Sequence, residues 1–328
     1  MAMEIQLDSP LAGLVAGELQ TAASPAAQAL ARAICAERPG VASILFYGSC
    51  LRKDTNEGVF DFYVLVDRYR DTYDSRLLAI GNAILPPNVF YIETESEFGT
   101  LRAKYAVLSQ SDFEAAVSPS CVHPYIWARF SQPSRLVYAR DADARDAATR
   151  ASAQAIVTLV QRLGVFLPAS GRLQKFSLSA LWQEAFTRTY GAESRPESED
   201  TIRGVYEAAS ERYDEAGAHA LAHLEAQGWL DSVTARGSSG AYEVEMPARR
   251  RSLARLRWQI SRPIARILAI LRLLKTAFTF GDWIPYAVWK VERHSGQRVE
   301  LSERQRKHPL IFAWPVIWRV LLNRKPDA

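Results

Sequence analysis

Hydrophobic positions in the first 140 residues come in short blocks separated by turn residues, the pattern of alternating strands and helices. Ser24-Pro25 reads as an N-cap with proline at the first helical position. It leads an alanine-rich helix over 26–38 that Pro39-Gly40 stops. Residues 44–47 read as a buried strand, Gly48-Ser49 as a sharp turn, and 60–66 as a second strand with Asp61 at its start and Asp67 at its end. A helix over 75–85 ends at Pro86-Pro87, and short strands follow over 89–93 and 101–108. In the latter strand the period of two puts Arg102 and Lys104 on one face. Helices over 109–117, capped by Ser109, and 124–130 precede a strand over 134–139.

Residues 141–145 mark a boundary, beyond which the pattern turns helical over 149–167, 178–190 and 201–225. The polar, proline-containing stretch 193–200 is a loop. Gly228-Trp229-Leu230 opens a hairpin with its turn at 236–240 and its second strand over 241–246. Periodicity leaves open whether this is a winged-helix-like unit or a helical domain with a surface hairpin. The stretch 249–275 is basic and apolar together, interrupted by Pro263, and 283–292 is aromatic and helical. An apolar run over 310–322, broken by Arg319 and carrying two tryptophans, is too short to span a bilayer but has the make-up of an interfacial segment.

The expected fold class is α/β in the α+β sense. A domain with a small mixed sheet covers 1–145, a helical or winged-helix-like domain 146–247, and a basic amphipathic C-terminal region 248–328. Three widely spaced cysteines give neither a disulfide framework nor a zinc pattern and fit a reducing compartment. The start of the chain has no secretory core or Arg-rich presequence, so a cytoplasmic location is expected. With 40 basic and 36 acidic residues the net charge is only +4, but its distribution is uneven. No acid lies between Glu245 and Asp282, whereas nine Lys or Arg do.

The stretch 44–67 carries the candidate chemistry. Gly48 lets backbone approach a ligand closely, and Ser49 offers a hydroxyl and an amide to a phosphate where a helix begins. Asp61, on the neighbouring strand, can hold a divalent cation against that phosphate. Glycine-serine followed about a dozen residues later by a strand acid is the pattern of the nucleotidyltransferase fold. A plain hairpin with incidental acids is the bland alternative. Asp67 and Glu93 are the candidates for a second metal ligand. Asp67 lies about 20 Å along the same strand, which suits a strand cap or a partner for a basic residue better than a shared ion. Arg52 and Lys53 can add positive potential. His123, His294 and His308 are assigned no role, and the cysteines read as buried or incidental.

Several stretches, in order, resemble the mitochondrial-type phosphatidate cytidylyltransferases, the translocator-maintenance type of CDP-diacylglycerol synthase. FYGSC at 46–50 is similar to the family's YGSG turn, and FDFYVLVD at 60–67 to its aspartate strand. KYAVLS at 104–109 resembles its KYGVIS element, and 131–137 falls where the family has its RLxKPV strand. The GWL at 228–230 is similar to its GWLE segment, and 260–280 to its RPxSxRQ…KGIFTAG element. The resemblance covers roughly residues 41–281. It implies a nucleotidyltransferase fold and transfer of CMP from CTP to phosphatidic acid with Mg²⁺ by a peripheral membrane enzyme. On this reading Gly48, Ser49 and Arg52 bind the nucleotide, Asp61 holds the metal, and Lys104 meets the triphosphate or the phosphatidate. Cys50 and Tyr63 depart from the general pattern, Tyr63 standing where a nucleotidyltransferase usually has its second metal carboxylate.

A phosphate monoester is already ionised near neutral pH, so the transfer needs positioning and charge neutralisation rather than a strong base. The basic tail suits docking on an anionic membrane surface at the inner face of the cell membrane, with no nucleic acid expected. A core helix packed on the second domain is the alternative for that tail. Two rival functions stay open: the same fold acting on RNA, protein or a small molecule, and a catalytically degenerate nucleotide-binding module. Oligomeric state is not legible.

Overall fold

The computed structural model describes residues 5–192, 199–236 and 240–279. The loop expected at 193–200, the hairpin turn at 236–240 and the C-terminal stretches at 283–292 and 310–322 fall wholly or mostly outside them. The chain is mixed α and β, with a mixed five-stranded sheet.

Two helices precede the first strand. Helix α1 (Pro10–Gln20) starts under Ser9 and α2 (Pro25–Glu37) under Ser24; each serine hydroxyl accepts a bond from an amide three residues on. There follow β1 (Val41–Tyr47), the single turn α3 (Ser49–Arg52), β2 (Phe60–Val66), α4 (Tyr69–Thr72) and α5 (Arg76–Ile84). Strands β3 (Asn88–Ser96) and β4 (Gly99–Ser109), helices α6 (Gln110–Val117) and α7 (Trp127–Phe130), and β5 (Arg135–Ala139) complete this unit. The sheet order is β3-β4-β2-β1-β5. β2 and β4 run parallel, and the other pairs are antiparallel.

Strands β1 and β2 are buried on both faces, which is why they read as nearly unbroken apolar runs. On one face Ile44, Phe46, Phe62 and Val64 pack with Ala27, Leu30 and Ile34 of α2. On the other, Leu45, Tyr63 and Leu65 join a larger cluster with α1, α6 and α7.

Helix α8 (Ala142–Leu163), capped by Asp141, starts seven residues earlier than the periodicity predicts. It is followed by strands β6 (Ala169–Ser170) and β7 (Leu173–Ser177) and helices α9 (Leu178–Ala192), α10 (Glu199–Glu207) and α11 (Ser210–Ala226). The hairpin β8 (Ser232–Arg236) and β9 (Ala241–Glu245) then closes a second sheet of order β6-β7-β9-β8. Because β9 pairs with β7 as well as with β8, the hairpin is built into a sheet rather than standing alone on the surface.

The large cluster does not stop at residue 145. It runs from Leu45 and Tyr63 through Trp127 and Ile156 to Trp182, Tyr213 and Val244. Arg212 of α11 reinforces this junction: it is 2.6 Å from Glu18 of α1 and also donates to the Ser131 carbonyl, with both charged side chains largely buried.

The last described element is α12 (Ala248–Thr279), a helix of 32 residues and so about 48 Å long. Pro263, expected to interrupt the pattern, sits inside it. Both Pro263 and Gln259, whose carbonyl loses its usual amide partner, are exposed, so water can take the place of the missing bond.

Candidate active site

The antiparallel register of β1 and β2 sets Tyr47 opposite Asp61. The next residue, Gly48, therefore turns directly over the Asp61 carboxylate. Its φ of +91° lies where side chains are strained, and a Cβ there would stand 2.9 Å from Asp61 Oδ2. Glycine is thus required both by the backbone and by the close approach. Ser49 opens α3 immediately afterwards.

Parallel pairing of β2 with β4 sets Asp61 beside Lys104, whose Nζ is 3.3 Å from Asp61 Oδ1. Both side chains are about a quarter exposed, so the pair faces solvent through a cleft. The cleft is about 420 Å³ and is lined by Ser49, Asp61 and Lys104 together with Lys53, Thr55, Glu57, Gly58 and Val59. Cys50 ties its wall to its floor: it is buried, and its thiol donates weakly to the Val59 carbonyl at 3.4 Å.

Of the residues singled out from sequence, Gly48, Ser49, Asp61 and Lys104 come together. Arg52 is not among the cleft-lining residues; Lys53 is.

Glu93 lies two strands away, on β3. It accepts from Arg102 at 3.1 Å and from the Tyr91 hydroxyl at 2.9 Å. Strand spacing alone separates its backbone from that of Asp61 by about 10 Å. Burial, with Glu93 beside it, pushes the Tyr91 phenol up, which keeps it a donor to that carboxylate. Asp67 sits at the far end of β2 in an ion pair with Arg140 at 2.5 Å. Neither acid lines the cleft. Tyr63 follows Asp61 on the same face of β2 but is fully buried, edge-on to Phe130 at a centroid distance of 5.0 Å. A carboxylate in that place would be a buried charge rather than a ligand.

Among the described residues no three or more His, Cys, Asp or Glu side chains gather as a metal cluster. The donor set nevertheless suits Mg²⁺, which takes one or two carboxylates and completes its shell with phosphate and water. Asp61 already faces a cation in the form of Lys104, and Glu57 is a second carboxylate lining the same cleft. Glu57, Thr55 and Lys53 lie in the irregular stretch between α3 and β2, where no periodicity marks which way a side chain points.

Helix α12 presents an inverted surface. Its inward side carries Arg251, Trp258, Ser261, Ala265 and Arg272, all buried. The inward guanidiniums donate to main-chain carbonyls: Arg251 to Gly171 and Arg172, Arg255 to Val165, and Arg272 to Pro86. Leu253, Leu256, Ile260, Ile267, Leu271 and Leu274, at spacings of three, four and seven, are each 45–58% exposed. Among the described residues no helix is long and apolar enough to cross a membrane.

No protein-family model matches the chain, and no curated protein matches it significantly.

Proposed function

We propose that the protein is a Mg²⁺-dependent nucleotidyltransferase that moves CMP from CTP onto phosphatidic acid, releasing pyrophosphate, while docked peripherally on the inner face of the cell membrane. The observation that carries the nucleotidyl part is the Gly48–Asp61–Lys104 arrangement: a glycine-serine turn packed on a carboxylate, with a cation beside it, at the foot of an open cleft. The cytidine base and the lipid acceptor come from the resemblance. The exposed apolar stripe of α12 supports a lipid surface as the place of work.

The Ser49 hydroxyl and the amides at the start of α3 bind phosphate oxygens, and Lys53 adds charge at the cleft wall. Asp61, with Glu57 near at hand, would hold Mg²⁺. When bound, the ion neutralises triphosphate charge and orients the reacting phosphorus. Lys104 leaves Asp61 for the phosphates and stabilises the charge that builds on them. An oxygen of the acceptor's ionised phosphate forms the new bond to the α-phosphorus, and the bond from that phosphorus to the bridging oxygen breaks. Both electrons of that bond leave with pyrophosphate, and no proton has to be removed from the nucleophile.

The deciding test supplies labelled CTP, Mg²⁺ and phosphatidic acid in detergent micelles. Labelled lipid and pyrophosphate, both abolished by Asp61→Ala, support the reading. Folded protein that binds CTP yet yields no product overturns it. The Asp61–Lys104 ion pair favours one alternative, a catalytically silent nucleotide-binding module whose cation position is filled by a side chain. Nucleotide affinity that is equal with and without Mg²⁺ would select that module.

A further inference from the structure

Helix α5, like α12, turns large apolar side chains outward. Its buried residues are Ala79 and Asn82. Ala79 and the partly buried Leu78 pack on the core, and Asn82 adds polar anchors, donating to the Tyr73 hydroxyl and the Val107 carbonyl and accepting from the Asn88 amide. The outward residues are Leu77, Ile80 and Ile84, which are 81%, 55% and 78% exposed. Three large aliphatic side chains stand in solvent on one face of a nine-residue helix, where a globular surface helix carries polar residues.

The two helices are joined. Arg272 donates to the Pro86 carbonyl at 2.8 Å, and Lys275 donates to the Leu85 carbonyl, both directly after the last turn of α5. Leu271 and Leu274, each next in sequence to one of these cations, belong to the exposed stripe of α12. The chain at the end of α5 is therefore held against the last turns of α12. The exposed charge of α12 is basic: Arg249, Arg257, Arg262 and Arg266 face solvent with no acid between residues 246 and 281, and Arg76 is exposed at the start of α5, two residues after the exposed Asp74. Such a face complements an anionic bilayer.

We propose that α5 is a second membrane-docking element, with Leu77, Ile80 and Ile84 entering the headgroup–acyl boundary of an anionic bilayer alongside the outward face of α12. Docking through both helices sets the unit that carries the cleft against the lipid surface. The inference rests on the peripheral-docking reading above but is independent of the reaction assigned to the cleft.

The test is sedimentation of the full chain with vesicles of phosphatidylglycerol and phosphatidylcholine, in the absence of nucleotide and phosphatidic acid. Three proteins are compared: the unaltered chain, the triple variant Leu77→Ser, Ile80→Ser, Ile84→Ser, and a variant with Leu253, Leu256 and Ile260 each changed to Ser. All the altered side chains are exposed, and near-ultraviolet circular dichroism checks that the fold is kept. The expected result is binding by the unaltered chain and a fall of about tenfold or more in the α5 variant, since each lost aliphatic side chain removes apolar area from the boundary. Loss confined to the α12 variant overturns the α5 inference and leaves peripheral docking standing. No vesicle binding by the unaltered chain overturns both. A chain that sediments alone as a dimer, and becomes a monomer in the α5 variant, assigns the face to a second copy and also overturns the inference.

Discussion

Asp61 and Lys104 face each other across neighbouring parallel strands, with Nζ 3.3 Å from Oδ1, and each is the other's partner at the floor of the cleft. A partly exposed pair of this kind contributes about 1 kcal/mol or less to folding. Lys104→Met is therefore expected to leave the denaturation midpoint nearly unchanged while lowering CTP affinity by about tenfold or more, the loss of one charge-assisted contact. Calorimetric titration and chemical denaturation of one preparation separate the two effects. A large stability loss with unchanged affinity would give Lys104 a structural role.

Gly48→Ala should be costly out of proportion to its size. The added carbon meets the Asp61 carboxylate at 2.9 Å, and the backbone stays at a positive φ. Relief requires moving either the turn or Asp61. A destabilisation of about 1–3 kcal/mol is expected, together with loss of nucleotide binding. Thermal melts and titration with CTP measure the two, and a fully active, stable alanine variant would contradict the close approach.

The two glutamates make opposite predictions. Glu57 lines the cleft, whereas Glu93 is engaged by Arg102 and Tyr91 on β3. Glu57→Gln is expected to raise the Mg²⁺ concentration needed for CTP binding by several-fold, and Glu93→Gln to leave it unchanged. A Mg²⁺ titration of both variants decides which acid assists Asp61; the reverse order would return Glu93 to the metal site.

His123 makes stability depend on pH. Burial first, and then the charge of Arg272 beside it, lower its pKa to about 4. The unfolded chain titrates near 6.5 and so binds more protons between these values. Stability is then fully present above about pH 6.5 and falls as the pH drops towards 4, by on the order of 2–3 kcal/mol. Denaturant midpoints at pH 7 and pH 4.5 should differ by more in the native chain than in His123→Asn. Equal slopes would show that other groups dominate.

The inversion of α12 is testable by stability alone. Trp258 is 2% exposed and packs against Trp127 and Phe166 at centroid distances of 6.2 and 6.4 Å. Trp258→Ala should cost about 3–5 kcal/mol. Leu253→Ser, on the outward side, should cost less than about 0.5 kcal/mol. Urea denaturation of both variants checks the order, and a costly Leu253→Ser would mean that the stripe is covered.

Much of the sheet was legible because burial on one or both faces writes itself into the sequence. The apolar blocks located β1 and β2, and the period of two correctly put Arg102 and Lys104 on one face, where they meet Glu93 and Asp61. Ser24 and Ser109 marked helix starts through a local hydrogen bond that needs no tertiary context. Strand β7, LQKFS, was not legible: it is five residues long, and its place in a sheet depends on β9, which arrives some 60 residues later. Helix α1, outside the expected elements, begins with the same serine-proline pair, Ser9-Pro10, that marks α2.

Within the site, Asp61 stood out because it interrupts an apolar strand. Glu57 did not, because it lies in a polar stretch whose shape depends on contacts such as that of Cys50 with Val59. In α12 the amphipathic pattern was plain but its direction was not. Arginines normally mark the wet side of a helix. Here Arg251, Arg255 and Arg272 face inward because main-chain carbonyls at Gly171, Arg172, Val165 and Pro86 receive them, while Arg249, Arg257, Arg262 and Arg266 stay exposed.

Helix α8 belongs to the cores of both sheets, with Ala148, Ile156 and Leu163 all buried in one continuous cluster. That makes the orientation of the cleft a property of the folded body rather than of a linker. On a surface that α12 docks to as proposed above, the mouth of the cleft would keep a set height and tilt, as a tool keeps its angle when clamped to a bench. Travel between surface and cleft then falls to the ligand and not to the protein.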